Sequence, residues 1–257
     1  MEWIVEDRGE IELWTIDGAA RSNSLTRAML AGLRDELRRA GARRGLRCVV
    51  LSSARERAFC AGADLKERAR MSDEEVRAFL RDLRAALLAV EASPQVFVAA
   101  INGVALGGGL ELALACDLRV MSAAAEAGLP EVSLGIIPGG GGTQRLARAV
   151  GISRAKDLVL TARRIDATEA IAWGLVTRIA PPGQLRQAAL EVAEEVARNA
   201  PISLRQAKRA IDGGFHLPLE EALELEHRLY QECLGSADRR RALRAFAEKR
   251  RPTFTGD

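Results

Sequence analysis

A chain of 257 residues with 48% hydrophobic content can bury one sizeable core, or a large core with a small appended element, and reads as a soluble globular protein. Its formal net charge is only +3, although its 38 basic residues are almost all arginine, so the overall balance singles out no class of partner. Cys48, Cys60, Cys116 and Cys233 are too scattered for a zinc motif and have no histidine nearby, which leaves bystander thiols in a reducing compartment.

The opening residues, from Trp3-Ile4-Val5 onward, lack a basic start followed by an apolar stretch. No run approaches the roughly 18 apolar residues of a membrane span, so a cytoplasmic protein with no membrane partner is expected. Glu10-Ile11-Glu12-Leu13 alternates with period two after the turn signal Asp7-Arg8-Gly9, predicting a hairpin with one buried face. A helix is expected from Thr26 to about Ala40, with Met29, Leu30, Leu33 and Leu37 turned inward. Four short apolar runs read as strands: Cys48–Leu51, Phe97–Ile101, Leu118–Met121 and Leu175–Ile179. Helical segments lie between them, which indicates an α/β protein. Ser72-Asp73-Glu74-Glu75 is a capping box that opens a helix running to about Glu91, and Asp166-Ala167-Thr168-Glu169 repeats the pattern. After Pro181-Pro182-Gly183 only helices are predicted, near 184–199, 203–213 and 218–250, the last broken at Leu234-Gly235-Ser236. This tail suggests a second module or an oligomer interface.

Two glycine clusters carry the functional signal. Glu111 is the only charged residue between Glu91 and Asp117 and follows Gly107-Gly108-Gly109. Glu131 stands alone between Glu126 and Arg145, ahead of Gly139-Gly140-Gly141-Gly142. A carboxylate among aliphatic residues is hard to ionise, so its pKa rises toward the range useful for passing protons near pH 7. Taken singly, Glu111 also fits an acid stabilised at a helix N-terminus. Glycine lets the backbone approach a ligand and present N–H groups, and a helix opening favours negative charge. Two carboxylates and an N–H donor at Gly108 could therefore stabilise an enolate while protons move.

Competing chemistries fit less well. There is no phosphate-cradling G-x-x-x-x-G-K-[ST], no G-x-G-x-x-G after a strand and no G-x-S-x-G elbow. His216 and His227 sit in the polar helical tail, far in sequence from both loops. A glycosidase, which also uses two carboxylates, needs aromatic stacking surfaces, and aromatics make up only 4% of the chain.

These segments, in this order and spacing, resemble the crotonase, or enoyl-CoA hydratase, superfamily along essentially the whole chain. The resemblance implies a spiral of ββα units over residues 1–195 and a C-terminal helical oligomerisation region over 196–257, building trimers or hexamers. Ala58-Phe59-Cys60-Ala61-Gly62-Ala63-Asp64-Leu65-Lys66 is similar to the family's CoA and oxyanion loop. Ala61, Ala63, Asp64, Leu65 and Lys66 would then contact CoA, with the Ala63 N–H on the thioester oxygen. Asn102 through Glu111 resembles the second signature, with the other oxyanion N–H at Gly108. By the same likeness Glu111 would help activate the attacking water and Glu131 would protonate Cα, with CoA as part of the substrate and neither metal nor separate cofactor required.

The resemblance also places Arg21 near CoA and carries Lys249 toward a neighbouring subunit's CoA site. Through Phe59–Ser72, Leu110–Asp117 and Ile136–Arg145 the likeness within the family is strongest to the 3-methylglutaconyl-CoA hydratases, whose substrate has a distal carboxylate, and Arg68 or Arg70 would be its cationic partner. The direction of the reaction stays open, and a broad short-chain enoyl-CoA hydratase is the nearest rival. RNA binding is a rival of another class, because Arg27, Arg34, Arg38 and Arg39 decorate the first helix and Arg43, Arg44 and Arg47 follow it. The resembled hydratase branch has been linked to AU-rich RNA, but no aromatic platform accompanies this basic face, so nucleic acid is not the expected partner.

Overall fold

The computed structural model describes residues 3–18 and 22–257, and Arg21 lies outside them. The hairpin β1 (Trp3–Asp7) and β2 (Ile11–Ile16) leads into α1 (Arg27–Gly41). A unit of long strand, short strand and helix then recurs. It comprises β3 (Cys48–Ser53), β4 (Ala58–Cys60), α2 (Leu65–Arg68) and α3 (Asp73–Glu91), then β5 (Val96–Ile101), β6 (Val104–Leu106) and α4 (Gly108–Ala115). A third turn holds β7 (Leu118–Ser122), β8 (Glu126–Gly128), a 3-10 turn at Pro130–Leu134, α5 (Gly142–Val150) and α6 (Ile152–Leu160). The chain closes through β9 (Arg164–Asp166), α7 (Ala167–Ala172) and β10 (Arg178–Ala180), followed by α8 (Leu185–Ala197), α9 (Pro201–Gly214), α10 (Leu219–Leu234) and α11 (Ala237–Ala247).

The long strands form a six-stranded sheet in the order β1-β2-β3-β5-β7-β10, parallel except for the β1–β2 hairpin. The short strands form a second sheet, β4-β6-β8-β9. Each ββα turn thus gives one strand to each sheet, which is the spiral architecture expected from the resemblance. The large sheet is buried on both faces. Val49, Leu51, Phe97, Ala99 and Ile101 pack into the main core with α1 and α3, while Cys48, Val50, Val96, Val98 and Ala100 pack under α8. Burial on both faces explains why these strands read as continuous apolar runs.

The hairpin differs from its predicted single buried face. Glu12 is 0% exposed because Arg39 and Arg43 of the first helical region reach over it and Trp14 Nε1 donates to it at 2.6 Å. The strand expected over Leu175–Ile179 is confined to Arg178–Ala180. Leu175 and Val176 instead donate to Ala170 O at the end of α7, around Gly174 at φ +77°. The predicted caps hold: Ser72 and Glu75 form a reciprocal capping box, and the Asp166 side chain accepts from Glu169 N. The break in the tail falls between α10 and α11, at Gly235–Ser236. Within that tail, Lys208 of α9 ties back to the large sheet through Asp117 at 2.9 Å and Gln95 O at 3.1 Å.

Candidate active site

Both signature loops converge on α4. Gly107 caps this helix at φ +52°, and an added Cβ there would stand 2.8 Å from Glu131 Oε1, so glycine is needed for conformation and for space alike. Hydrogen bonds from Leu25 N to Gly62 O (2.7 Å) and from Asp64 N to Leu25 O (3.2 Å) hold the first loop against Leu25. They leave the N–H of Ala63, between them, free of that pairing. A Cβ built on Gly108 would lie 3.7 Å from Ala63 N, so the two predicted oxyanion donors are neighbours. Gly108 is the first residue of α4, where a backbone N–H has no partner within the helix.

Glu111 is 1% exposed, in the first turn of α4, and its Oε1 accepts N–H groups from Gly140 at 2.8 Å and Gly142 at 2.7 Å. The donors thus come from the loop entering α5, not from Glu111's own helix N-terminus. Burial raises its pKa, while the two N–H groups and the nearby Arg145 charge work in the opposite direction. Glu131 lies in the 3-10 turn, half-buried, with Oε2 shielded from solvent and lacking a hydrogen-bond partner. Burial pushes its pKa up to about 7, and the charge of Glu111 adds to the rise against its own backbone N–H. The net direction at Glu111 is still upward, but its N–H donors and Arg145 oppose the rise, whereas Glu131 has no such partner on Oε2 and is the better placed of the two to hold a proton.

The other candidates separate. Asp64 caps α2, accepting from Lys66 N at 2.8 Å and Glu67 N at 3.0 Å, so its carboxylate shapes the loop. Lys66 and Arg70 line a cleft of about 570 Å³ with Thr26, Arg27, Ala28, Asp64 and Glu67. Leu65 is exposed at the mouth of the same loop, and Ala61 N is bonded to Ser22 O. Arg68 instead leans over the ring of Phe79 on α3, 5.5 Å from its centroid. The next residue, Leu80, contacts the position of Gly139 at the head of the second glycine loop. The two arginines therefore face different surroundings, Arg68 the Phe79 ring and Arg70 the cleft beside Lys66.

Lys249 is exposed just beyond α11. His216 is bonded to Arg148 and His227 to Gln231, both on the exposed tail. Burial raises the thiol pKa of Cys48, Cys60 and Cys116, which suits inert core residues. Among the described residues no group of three or more His, Cys, Asp or Glu could hold a metal, and no helix is long and apolar enough to cross a membrane. A further cleft of about 700 Å³ at the carboxyl ends of β2, β3, β5 and β7 is lined by neither glutamate.

The basic first helix is largely neutralised at home. Arg27 pairs with Glu67 and Glu75, Arg34 with Asp82, Arg38 with Asp35, Arg39 and Arg43 with Glu12, and Arg47 with Glu10. Sequence reasoning missed the Gly140 and Gly142 donors and the Glu91–Arg145 pair. The glycine run was visible, but the direction of its N–H groups is set by the packing of α3, α4 and α5.

The chain matches the Enoyl-CoA hydratase/isomerase family over residues 7–257. It is 42% identical to human mitochondrial methylglutaconyl-CoA hydratase over 256 residues, covering 98% of this chain and 75% of that protein. It is 49% identical over 209 residues to an enoyl-CoA isomerase/hydratase of Mycosarcoma maydis, covering 81% and 76% of the two chains. The crystal structure of an enoyl-CoA hydratase from Bacillus anthracis superimposes with a TM-score of 0.98 at 43% identity over 100% of both chains. The chain belongs to the enoyl-CoA hydratase/isomerase family, as an enzyme of the hydro-lyase kind.

Proposed function

We propose that the protein reversibly hydrates an α,β-unsaturated acyl-CoA, interconverting 3-methylglutaconyl-CoA and 3-hydroxy-3-methylglutaryl-CoA. The observation carrying this reading is the meeting, around the first turn of α4, of Glu111, Glu131 and two neighbouring loop N–H groups at Ala63 and Gly108. In the hydration direction Glu111 takes a proton from water as its oxygen bonds to Cβ. The alkene electrons move to the thioester oxygen, and Ala63 N–H and Gly108 N–H hold the resulting enolate. Glu131 then gives its proton to Cα, and proton return from Glu111 to Glu131 resets the site. The sequence adds one water and needs only proton transfers, with CoA entering as part of the substrate.

Support for the branched dicarboxylate comes from the human relative's named activity and from Arg68, half-buried against Phe79. Arg70 lies with Lys66 instead, on the side proposed for the CoA phosphates together with the loop Ala61–Lys66. Residues 196–257 are proposed as the assembly region of a trimer or hexamer, because Ile211, Phe215, Leu219 and Leu223 of the α9–α10 pair are 54–75% exposed. Four free thiols, three of them buried, suit a reducing compartment such as the cytoplasm.

Comparing kcat/KM for 3-methylglutaconyl-CoA and crotonyl-CoA in wild type, Arg68→Met and Arg70→Met tests the assignment. The dicarboxylate is expected to be preferred and Arg68→Met to abolish the preference, with Arg70→Met weakening both substrates alike. Faster wild-type turnover of crotonyl-CoA would instead establish a broad short-chain hydratase. Glu111→Gln and Glu131→Gln should each lose roughly 10³-fold or more in turnover while still binding CoA thioesters. Near-normal turnover in either removes that residue from the mechanism.

A further inference from the structure

We infer that Arg145 is a positioning residue for Glu111, acting through the second glycine loop, an inference that rests on the reading of Glu111 as the base. Four consecutive glycines, Gly139 to Gly142, have more backbone freedom than any other sequence of that length. Yet the N–H groups of Gly140 and Gly142 must converge on a single oxygen, Glu111 Oε1. Backbone bonds from Gln144 N and Arg145 N to Gly141 O anchor the end of the loop, but α5 begins at Gly142 without a side-chain cap.

Arg145 supplies a side-chain anchor from one turn inside α5. Its Nη1 donates to the carbonyl of Gly140, while Nε and Nη2 donate to the two carboxylate oxygens of Glu91, the last residue of α3, the second at 2.9 Å. The side chain of Arg145 is 14% exposed, so these bonds are shielded from water. The peptide plane between Gly140 and Gly141 is therefore pinned by its carbonyl on the Arg145 side, and it links the two planes whose N–H groups, those of Gly140 and Gly142, meet Glu111. Gly141 adopts φ +101° directly against the guanidinium, where a Cβ would collide with it. A planar fork can serve both Glu91 oxygens and the carbonyl together, whereas a lysine ammonium acts from a single point. The guanidinium charge also favours ionised Glu111, so removing it acts in the same direction as loosening the N–H donors.

The test is steady-state hydration across pH for wild type, Arg145→Met, Arg145→Lys, Glu91→Gln and Glu111→Gln. The probe is crotonyl-CoA or 3-methylglutaconyl-CoA, whichever the wild type turns over faster. Arg145→Met is expected to lower kcat roughly 10–100-fold, the size of one lost charge-assisted hydrogen bond, with KM nearly unchanged. The acidic limb of its kcat/KM profile should move to higher pH, because Glu111 then holds its proton more tightly. Arg145→Lys should rescue only part of the loss, and Glu91→Gln should shift the limb less, in the same direction.

Wild-type kcat and an unmoved acidic limb in Arg145→Met, with only a lower Tm, would overturn the inference and leave a structural staple. If Arg145→Met does not fold, an unmoved limb in Glu91→Gln overturns it equally. Near-normal turnover in Glu111→Gln would remove the base itself. An inactive Glu111→Gln beside an unmoved Arg145→Met profile removes only the role of Arg145.

Discussion

Replacing Glu131 with glutamine should make the fold more stable at alkaline pH while abolishing turnover. Burial raises the Glu131 carboxyl from the ordinary 4.5 to about 7, so the folded state binds this proton more tightly than the unfolded chain does. A raised carboxyl contributes stability that is fully present below about 4.5 and lost as pH rises through about 7. At about 1.4 kcal/mol per tenfold change in proton affinity, the full difference caps the loss near ~3 kcal/mol. The half-buried side chain retains some solvent screening, which reduces the expected value to about 1–2 kcal/mol. Glutamine cannot ionise, so it escapes this loss, while any packing difference it introduces is constant with pH. The assay is urea unfolding of wild type and Glu131→Gln at pH 5 and pH 8.5, at one protein concentration. The stability difference should move in favour of Glu131→Gln by about 1–2 kcal/mol between the two conditions, or a few degrees in Tm for a chain of this length. Parallel pH dependences would mean that Glu131 titrates as an exposed carboxylate does, and the account of its environment would fail.

Gly140→Ala would place a Cβ 2.6 Å from Glu111 Oε2 and 2.9 Å from Leu87 Cδ1, so if Glu111 is the base as proposed, its displacement should lower kcat about 10²-fold. Gly45→Ala, with no atom within 4 Å, is the control expected to leave kinetics unchanged. Glu12→Ala removes the carboxylate beneath Arg39 and Arg43 and should cost about 2–4 kcal/mol in urea unfolding. That value sits below a fully buried pair because both guanidinia reach solvent, at 40% and 31% exposed; a change under ~0.5 kcal/mol would refute it. RNA binding measured by filter retention should be weak and vanish near physiological salt, since most arginines of the first helical region already have carboxylate partners. Tight, sequence-selective binding would revive the nucleic-acid reading.

Much of this protein is legible without coordinates, because the relevant physics is local. The inward stripe Met29, Leu30, Leu33 and Leu37 sets one face of α1, the Ser72–Glu75 box starts α3, and the glycines flanking Glu111 and Glu131 mark where backbone can approach a ligand. Isolation among uncharged residues was enough to single out both glutamates. The three-residue strands β4, β6, β8 and β9 were not legible, since periodicity needs more residues than they contain and only their pairing into a second sheet defines them. Nor was the burial of Glu12, which depends on arginines 27 and 31 residues away. At the candidate site, sequence singled out the carboxylates, but which oxygen receives which N–H was decided by α3, α4 and α5 meeting through Glu91, Arg145 and the glycine loop. Likewise only packing separated Arg68 against Phe79 from Arg70 beside Lys66, because neighbours in sequence point to different surroundings once the chain turns. Residue chemistry and spacing determined which groups could act, and long-range packing determined their orientation, hydrogen-bond partners and proton affinity.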